Sequence, residues 1–145
     1  MSIKTVLCAV DVSNKGQDVS VVKEAARIAA MDGAQLDVIT VLPDFGMSVV
    51  GSFFDADHHD KALQEAQTRL SGLVTDALGA EANAKVRHVV STGNAYEEIL
   101  KTASADKADL IVIGAHKPDF KDYLLGPNAA RVVRHSTCSV YVVRG

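Results

Sequence analysis

The feature that most constrains this fold is a series of short, continuous apolar runs separated by longer segments with helical periodicity. The clearest run covers residues 110–113 (Leu-Ile-Val-Ile) and ends at Gly114. Apolar strands without alternation are typical of a parallel sheet that helices cover on both faces. Because right-handed crossovers join parallel strands, the pattern predicts one α/β domain over residues 1–145, with an open, doubly wound, five-stranded parallel sheet.

The pattern resolves into five strands and four helices. Strands are expected at about 4–10, 35–42, 85–90, 109–114 and 139–143. Helices are expected at about 16–32, at about 57–79, from 94 onward and at about 127–136. Gly33 is expected to end the first helix as its C-cap. Asn94, followed by Glu97, predicts a capping box at the third helix.

Size and charge exclude several classes of protein. A chain of 145 residues suffices for one domain with its own core, and its net charge of −3 argues against a nucleic-acid protein that depends on a basic field. No apolar run is long enough to cross a membrane, and the N-terminal run does not fit a signal peptide. Cys8 and Cys138 are expected to be buried thiols rather than a disulfide or a metal pair. These features predict a soluble, cytoplasmic protein.

Three segments are expected to meet at the carboxyl edge of the sheet, where such folds bind ligands. They are the end of strand one (Ala9, Val10 and Asp11), the end of strand two around Val41, and the segment that joins strand four to the last helix. Asp11 offers a carboxylate to a divalent cation or to a ribose hydroxyl. Val41 offers an apolar wall and backbone groups to a flat base.

The third segment has the features of a phosphate-binding loop. A glycine at the end of a strand and another at the start of a helix let backbone N–H groups approach an anion, and the helix dipole adds attraction. The residues expected to contact it are Gly114, Ala115, His116, Lys117, Pro118, Gly126, Pro127, Asn128 and Ala129. Together the three segments indicate a mononucleotide site, although strand-end aspartates also occur in α/β folds that bind no ligand.

Two common nucleotide-binding patterns are absent from the sequence. Nothing matches G-x-x-x-x-G-K-[ST], and no G-x-G-x-x-G follows strand one. The sequence therefore favours neither a P-loop ATPase nor a dinucleotide-dependent dehydrogenase.

Four segments of this chain resemble the universal stress protein family. They are residues 6–13 (VLCAVDVS), 113–116 (IGAH), 124–129 (LLGPNA) and 138–143 (CSVYVV), in the family's order and spacing. The resemblance implies a Rossmann-like fold with strand order 3-2-1-4-5 and a homodimer. In many members it also implies bound ATP, or AMP or ADP, together with Mg²⁺ or Mn²⁺.

Two residues depart from the pattern of the family's ATP-binding members, which is Gly-x-x-Gly, nine residues, then Gly-Ser or Gly-Thr. Lys117 stands where the second glycine is expected, the gap before Gly126 is eight residues, and Pro127 replaces the hydroxyl residue. The Lys117 ammonium offers a direct phosphate contact. Proline suits a first helical turn but lacks an N–H. A hydrogen bond to a charged group contributes about 1.5–3 kcal/mol, so its loss weakens binding about ten-fold or more. The N–H groups of Asn128 and Ala129 remain, and the Asn128 amide is a candidate replacement for the hydroxyl.

Other polar residues have two interpretations each. Residues 57–60 (Asp-His-His-Asp) have metal-ligand chemistry but are better explained as a solvated helix start with acids in its first turn. His135 is expected at the surface near a helix end. His116 lies inside the phosphate-binding loop, where its side chain points either toward the nucleotide or away from it. Arg131 approaches a phosphate, or it forms an ion pair at the surface or in a dimer. The long apolar segment 43–54 is a binding loop, or it packs on its own helix or on a dimer mate.

The last strand predicts how two copies of the chain would associate. If it forms the sheet edge, its hydrophobic, unpaired backbone favours pairing with a second copy. The sequence thus predicts a homodimeric stress-response protein that binds an adenine nucleotide as a regulatory event. The alternatives are a dimeric interaction module without nucleotide, and a weak ATP hydrolase or autophosphorylating protein that uses Asp11 and a metal. No residue set identifies a catalytic base, so any catalysis is expected to be slow.

Overall fold

A computed structural model describes residues 2–13, 16, 18–43, 52–115 and 126–144, with residues 52–58 described in their backbone only. In chain order the elements are β1 Thr5–Ala9, α1 Val19–Asp32, β2 Gln35–Leu42, α2 Ser52–Leu78, α3 Ala80–Asn83, β3 Arg87–Thr92, α4 Ala95–Asp106, β4 Leu110–Ala115, α5 Gly126–His135 and β5 Ser139–Arg144.

The five strands form one parallel sheet in the order β3-β2-β1-β4-β5. The predicted fold class and strand order are therefore confirmed. β1 lies at the centre and pairs with β2 on one side and β4 on the other, so that Ala9 lies opposite both Ile39 and Ile113. β5 forms one edge of the sheet, as the sequence predicted.

Alternate residues of each buried strand belong to two separate cores, one on each face of the sheet. Val6 and Cys8 of β1 pack with Val22 of α1 and Leu70 and Val74 of α2. On the opposite face, the β1 residues Leu7 and Ala9 pack with Ile99 of α4 and with Ala129 and Val132 of α5. Burial on both faces explains why β1 and β4 contain almost no polar residues.

Strand bounds agree with the sequence prediction more closely than helix bounds do. β2 has the predicted bounds, and Gly33 ends α1 in the left-handed conformation (φ 63°), as expected of its C-cap position. α1 begins three residues later than predicted. α2 begins at Ser52, five residues earlier than predicted, and the short helix α3 was not predicted. Residues 57–60 therefore lie beyond the first turn of α2, and the prediction that they form a helix start was wrong.

The predicted capping box at α4 was also wrong. Asn94 occupies the N-cap position with an extended backbone, but its side chain makes no capping hydrogen bond. Instead, the Tyr96 N–H donates to Oδ1 of Asn128, which lies 32 residues away in α5, at 3.2 Å. A side chain from the neighbouring helix thus accepts a bond from one of the N–H groups that a helix start leaves without a partner.

Both cysteines are free thiols; Cys8 is buried as predicted, whereas Cys138 is only half-buried. Burial of Cys8, and secondarily the negative charge of Asp18, raise the pKa of its thiol far above the usual value. This thiol is therefore protonated at physiological pH and is a structural core residue. Among the helices of the described residues, none combines the length and the hydrophobicity that crossing a membrane requires.

Candidate functional site

A cavity of about 310 Å³ opens at the carboxyl edge of the sheet, between the ends of β1 and β2. We call it the β1–β2 cleft. Its lining is Asp11, Val12 and Ser13 after β1; Thr40, Val41, Leu42 and Pro43 at the end of β2; and Ala62, Glu65, Ala66 and Arg69 of α2. The volume lies at the lower end of the range for small-molecule pockets. Asp11 and Val41, which the sequence placed in one site, therefore line the same cavity.

Hydrogen bonds fix the Asp11 side chain at the cleft. The N–H of Asp11 donates to Oδ2 of Asp18 at 2.7 Å, which ties the end of β1 to the start of α1. Oδ1 of Asp11 accepts bonds from the N–H of Ser13 at 2.9 Å and from its hydroxyl at 2.6 Å. Among the described residues no donor reaches Oδ2. Asp11 is 5 % exposed and lines the cleft, so the accessible part of its carboxylate faces this cavity.

The backbone of Val41 provides a donor and an acceptor at the same place. The N–H of Val10 donates to the carbonyl of Ile39 at 2.9 Å, so the polar groups of Ile39 point toward β1. The carbonyl of Leu42 accepts from the N–H of Gly93 on the opposite side. Because directions alternate along a strand, the N–H and C=O of Val41 point toward β1, which ends at Ala9. These groups therefore lie at the cleft.

The α2 wall of the cleft was not predicted from the sequence. Ala62, Glu65, Ala66 and Arg69 follow one another at spacings of three, one and three residues, so they share one face of the helix. Arg69 donates through Nη2 to Oε1 of Glu65 at 2.7 Å at the exposed rim. The two alanines leave space where larger side chains would fill the cleft. Small residues at helical spacing were the signal that could have identified this wall.

The first turn of α5 borders the same edge of the sheet from the opposite face. Gly126 opens the helix as predicted, and Pro127 is exposed in its first turn. Ala129 is buried in the core that also contains Ala9. None of these residues lines the β1–β2 cleft. The side-chain oxygen of Asn128 accepts the bond from the Tyr96 N–H of α4.

The remaining predicted site residues divide into two groups. Ala9, Val10 and Gly114 are buried at the ends of β1 and β4, and Ala115 is half-buried as the last residue of β4. His116, Lys117 and Pro118 lie outside the described residues, as does most of the 43–54 segment. The relation of those three side chains to the cleft therefore stays a prediction.

Arg131 makes an aromatic contact that the sequence did not predict, whereas its approach to a phosphate or its ion pair in a dimer stays a prediction. Its guanidinium lies over the ring of Tyr96, 5.3 Å from the ring centroid. His135 stacks on the same ring with 6.0 Å between centroids, at the exposed end of α5 where it was expected. Together with the Asn128 bond, these contacts join α5 to the start of α4 on the side of the sheet opposite the cleft.

A divalent cation was assigned to Asp11 alone. Within the described ranges, no group of three or more Asp, Glu, His or Cys side chains is arranged to hold a metal ion. A single carboxylate fits Mg²⁺ that is bound mainly by phosphate oxygens and water, because such ions usually take only one or two protein carboxylates. The Oδ2 atom of Asp11, which has no described donor, fits this role.

Known proteins with the same organisation are found by sequence and by structure. Universal stress protein G of Salmonella typhimurium is 32 % identical over 143 residues, which cover 97 % of this chain and 99 % of that protein. The solved structure of hypothetical protein MJ0577 has a TM-score of 0.79 at 22 % identity, covering 100 % of this chain and 98 % of the other. A universal stress protein solved in complex with cAMP has a TM-score of 0.62 at 24 % identity and covers 99 % and 98 %.

The family model agrees with these pairwise matches. The model of the universal stress protein family matches residues 2–144, which include every strand and helix described above. Because this model covers nearly the whole chain, and because a relative with 32 % identity aligns along 97 % of it, the chain belongs to the universal stress protein family.

Proposed function

We propose that this protein binds an adenine nucleotide at the carboxyl edge of its sheet and acts in the stress response as a regulatory, homodimeric binding protein. The observation that carries the proposal is the pairing, in one cavity, of the Asp11 carboxylate with the end of β2 at Val41. The first group suits a ribose or a cation, and the second suits a planar base.

Adenine fits the Val41 end of the cleft by its hydrogen-bonding pattern. An adenine edge presents an amino donor next to ring-nitrogen acceptors, which is the complement of a backbone C=O and N–H on one residue. The wall around these groups contains Val41, Leu42, Pro43, Ala62 and Ala66, which suit the faces of a flat ring. A neighbour of the same fold was solved with cAMP, and this supports an adenine nucleotide as the ligand class.

The phosphates are proposed to lie outside the β1–β2 cleft, at the first turn of α5, which borders the same edge of the sheet. The N–H groups of a helix start and its dipole attract anions. Pro127 removes one donor from that turn, whereas Asn128 and Ala129 keep theirs. Mg²⁺ or Mn²⁺ bound between the phosphates and Asp11 would neutralise charge at the site. The ammonium group of Lys117 is proposed to contact the phosphates directly. The protein is proposed to act in the cytoplasm, because ATP is available there.

The direct experiment is a titration of the full-length protein with labelled ATP, with and without Mg²⁺, while phosphate release is followed. Asp11→Asn is expected to weaken binding about ten-fold or more, because a charge-assisted contact contributes about 1.5–3 kcal/mol. The asparagine oxygen still accepts the Ser13 bonds, so the local turn is kept. Asp76→Asn, an exposed change on α2, is the matched control and should bind like the wild type.

Two outcomes of this titration would contradict the proposal. If the wild type shows no saturable binding up to millimolar ATP, the protein is not a nucleotide-binding member of its family. If ATP turns over rapidly and Asp11→Ala abolishes turnover, the protein is a hydrolase rather than a binding protein.

Pro127 is expected to weaken the anion site of the wild type. Pro127→Ala restores the missing N–H, and Pro127→Ser restores both the N–H and a hydroxyl. We expect ATP to bind up to about ten-fold more tightly to the serine variant, with the alanine variant between the two. Unchanged affinity in both variants would show that this turn does not contact the phosphates.

The dimer is proposed to form through β5. This strand lies at the sheet edge, and Tyr141 on it is 37 % exposed while its hydroxyl donates to Glu24 of α1 at 3.1 Å. Pairing of two such edges satisfies backbone groups that otherwise face water. Sedimentation at micromolar concentration should give a species of twice the chain mass, and a monomer would contradict this part of the proposal.

A further inference from the structure

A second group of charged residues lies at the opposite, amino-terminal edge of the sheet. Asp37 on β2 is fully buried and stands in register with Arg87 on β3. Asp106, the last residue of α4, lies beside the same arginine. We call Asp37 and Asp106 the acidic pair. The nucleotide site is built from other residues and does not use them.

The acidic pair lacks hydrogen-bond donors. Among the described residues, no donor reaches either carboxylate oxygen of Asp37 or Oδ2 of Asp106. Nη1 of Arg87 lies 3.6 Å from Oδ2 of Asp37 and 3.7 Å from Oδ1 of Asp106, beyond good hydrogen-bond distance. One guanidinium thus serves two carboxylates. Two ionised carboxylates accept hydrogen bonds only, so they cannot satisfy each other.

We propose that Asp37 and Asp106 share one proton, so that the hydroxyl of one carboxyl donates to the carboxylate of the other. The shared proton supplies the missing donor and leaves one negative charge facing the positive charge of Arg87. It joins β2 to the end of α4, and its release leaves two like charges at that junction, one on the buried Asp37 and one on the half-buried Asp106. The acidic pair is therefore a pH-responsive contact within the fold.

The electrostatic environment of Asp37 supports this arrangement. Burial, followed by the proximity and the charge of the Asp106 carboxyl, raises the pKa of Asp37 from its usual 3.8 to about 6, while the charge of Arg87 and the nearby Gln35 side chain act in the opposite direction. Asp106 also lies at the C-terminal end of α4, where the helix dipole disfavours a negative charge. The charged groups that act on Asp37 are thus Arg87 of β3 and Asp106 of α4.

The sign of the pH effect follows from the direction of this pKa shift. Between about pH 4 and 6 the folded protein keeps a proton that an unfolded aspartate has already lost. The contribution of the pair is therefore complete below pH 4 and is lost as the pH rises through 6. A shift of about two pKa units corresponds to up to about a 100-fold change in the unfolding equilibrium constant.

Two neighbouring groups, His88 and Asp109, change the stability of the fold with pH in the opposite direction to the acidic pair. Their effect must be separated from that of the pair. Burial lowers the pKa of His88 on β3, so its contribution grows as the pH rises through the same range. Bonds from the N–H groups of Lys4 and Thr5 lower the pKa of Asp109, whose contribution is lost only at more acidic pH. The difference between the wild type and a variant of the acidic pair removes both effects.

The test is urea unfolding of the full chain at pH 4.5, 5.5, 6.5 and 7.5, for the wild type, Asp37→Asn, Asp106→Asn and the control Asp76→Asn. An asparagine supplies a permanent N–H donor to the remaining carboxyl. We expect the unfolding constant of the wild type to rise from pH 4.5 to 7.5 by about 10- to 30-fold more than that of either pair variant. The control should follow the wild type.

Carboxyl ¹³C NMR of the wild type tests the proposal without any substitution, in case a variant does not fold. One carboxyl of the acidic pair should titrate near pH 6. If both titrate near pH 4, or if all four unfolding profiles run parallel, the shared proton is excluded.

Discussion

The pairing of β1 with strands on both sides is the constraint on which the rest of the structure depends. β2 follows it on one side and β4 on the other, and the crossover helices α1 and α4 consequently lie on opposite faces of the sheet. The chain beyond Ala9 must then leave the sheet between two diverging connections. Ligands of such folds bind at this carboxyl edge, and the β1–β2 cleft that Asp11 and Val41 line opens there. The order of the strands therefore determines where the candidate site lies, and the side chains at the strand ends determine its chemistry.

The two ends of α4 illustrate how the two edges of the sheet differ. At its start, the Tyr96 N–H is bonded by Asn128, so the first turn of α5 is fixed in place beside the carboxyl edge. At its end, Asp106 meets Asp37 and Arg87 with too few donors. At the start of α4 the N–H donor has its acceptor, and this bond orients the proposed anion-binding turn of α5. The contact at the end of α4 is satisfied only when a proton is present, and it makes the opposite edge sensitive to pH.

The sequence predicted the sheet well because its strands are buried on both faces. Continuous apolar runs such as 110–113 leave little alternative, and β2 was placed with its observed bounds. Helix ends were less certain, since caps depend on tertiary neighbours. Asn94 has the residue type of a cap, yet Asn128 of another helix makes the bond. Likewise, Asp11 and Val41 were predictable as strand-end residues, whereas Glu65 and Arg69 reach the cleft only because α2 packs beside it. The shared proton of Asp37 was not predictable, because it depends on residues far apart in the chain.

The central claim is that the carboxyl edge of the sheet, from the β1–β2 cleft to the first turn of α5, holds an adenine nucleotide. An amide ¹H–¹⁵N NMR titration with AMP, compared with GMP, tests this residue by residue. Saturable shifts at the amides of Val41, Asn128 and Ala129, larger for AMP than for GMP at Val41, are the predicted result. Shifts confined to the amino-terminal edge of the sheet, or no saturable shift at millimolar AMP, would contradict the claim.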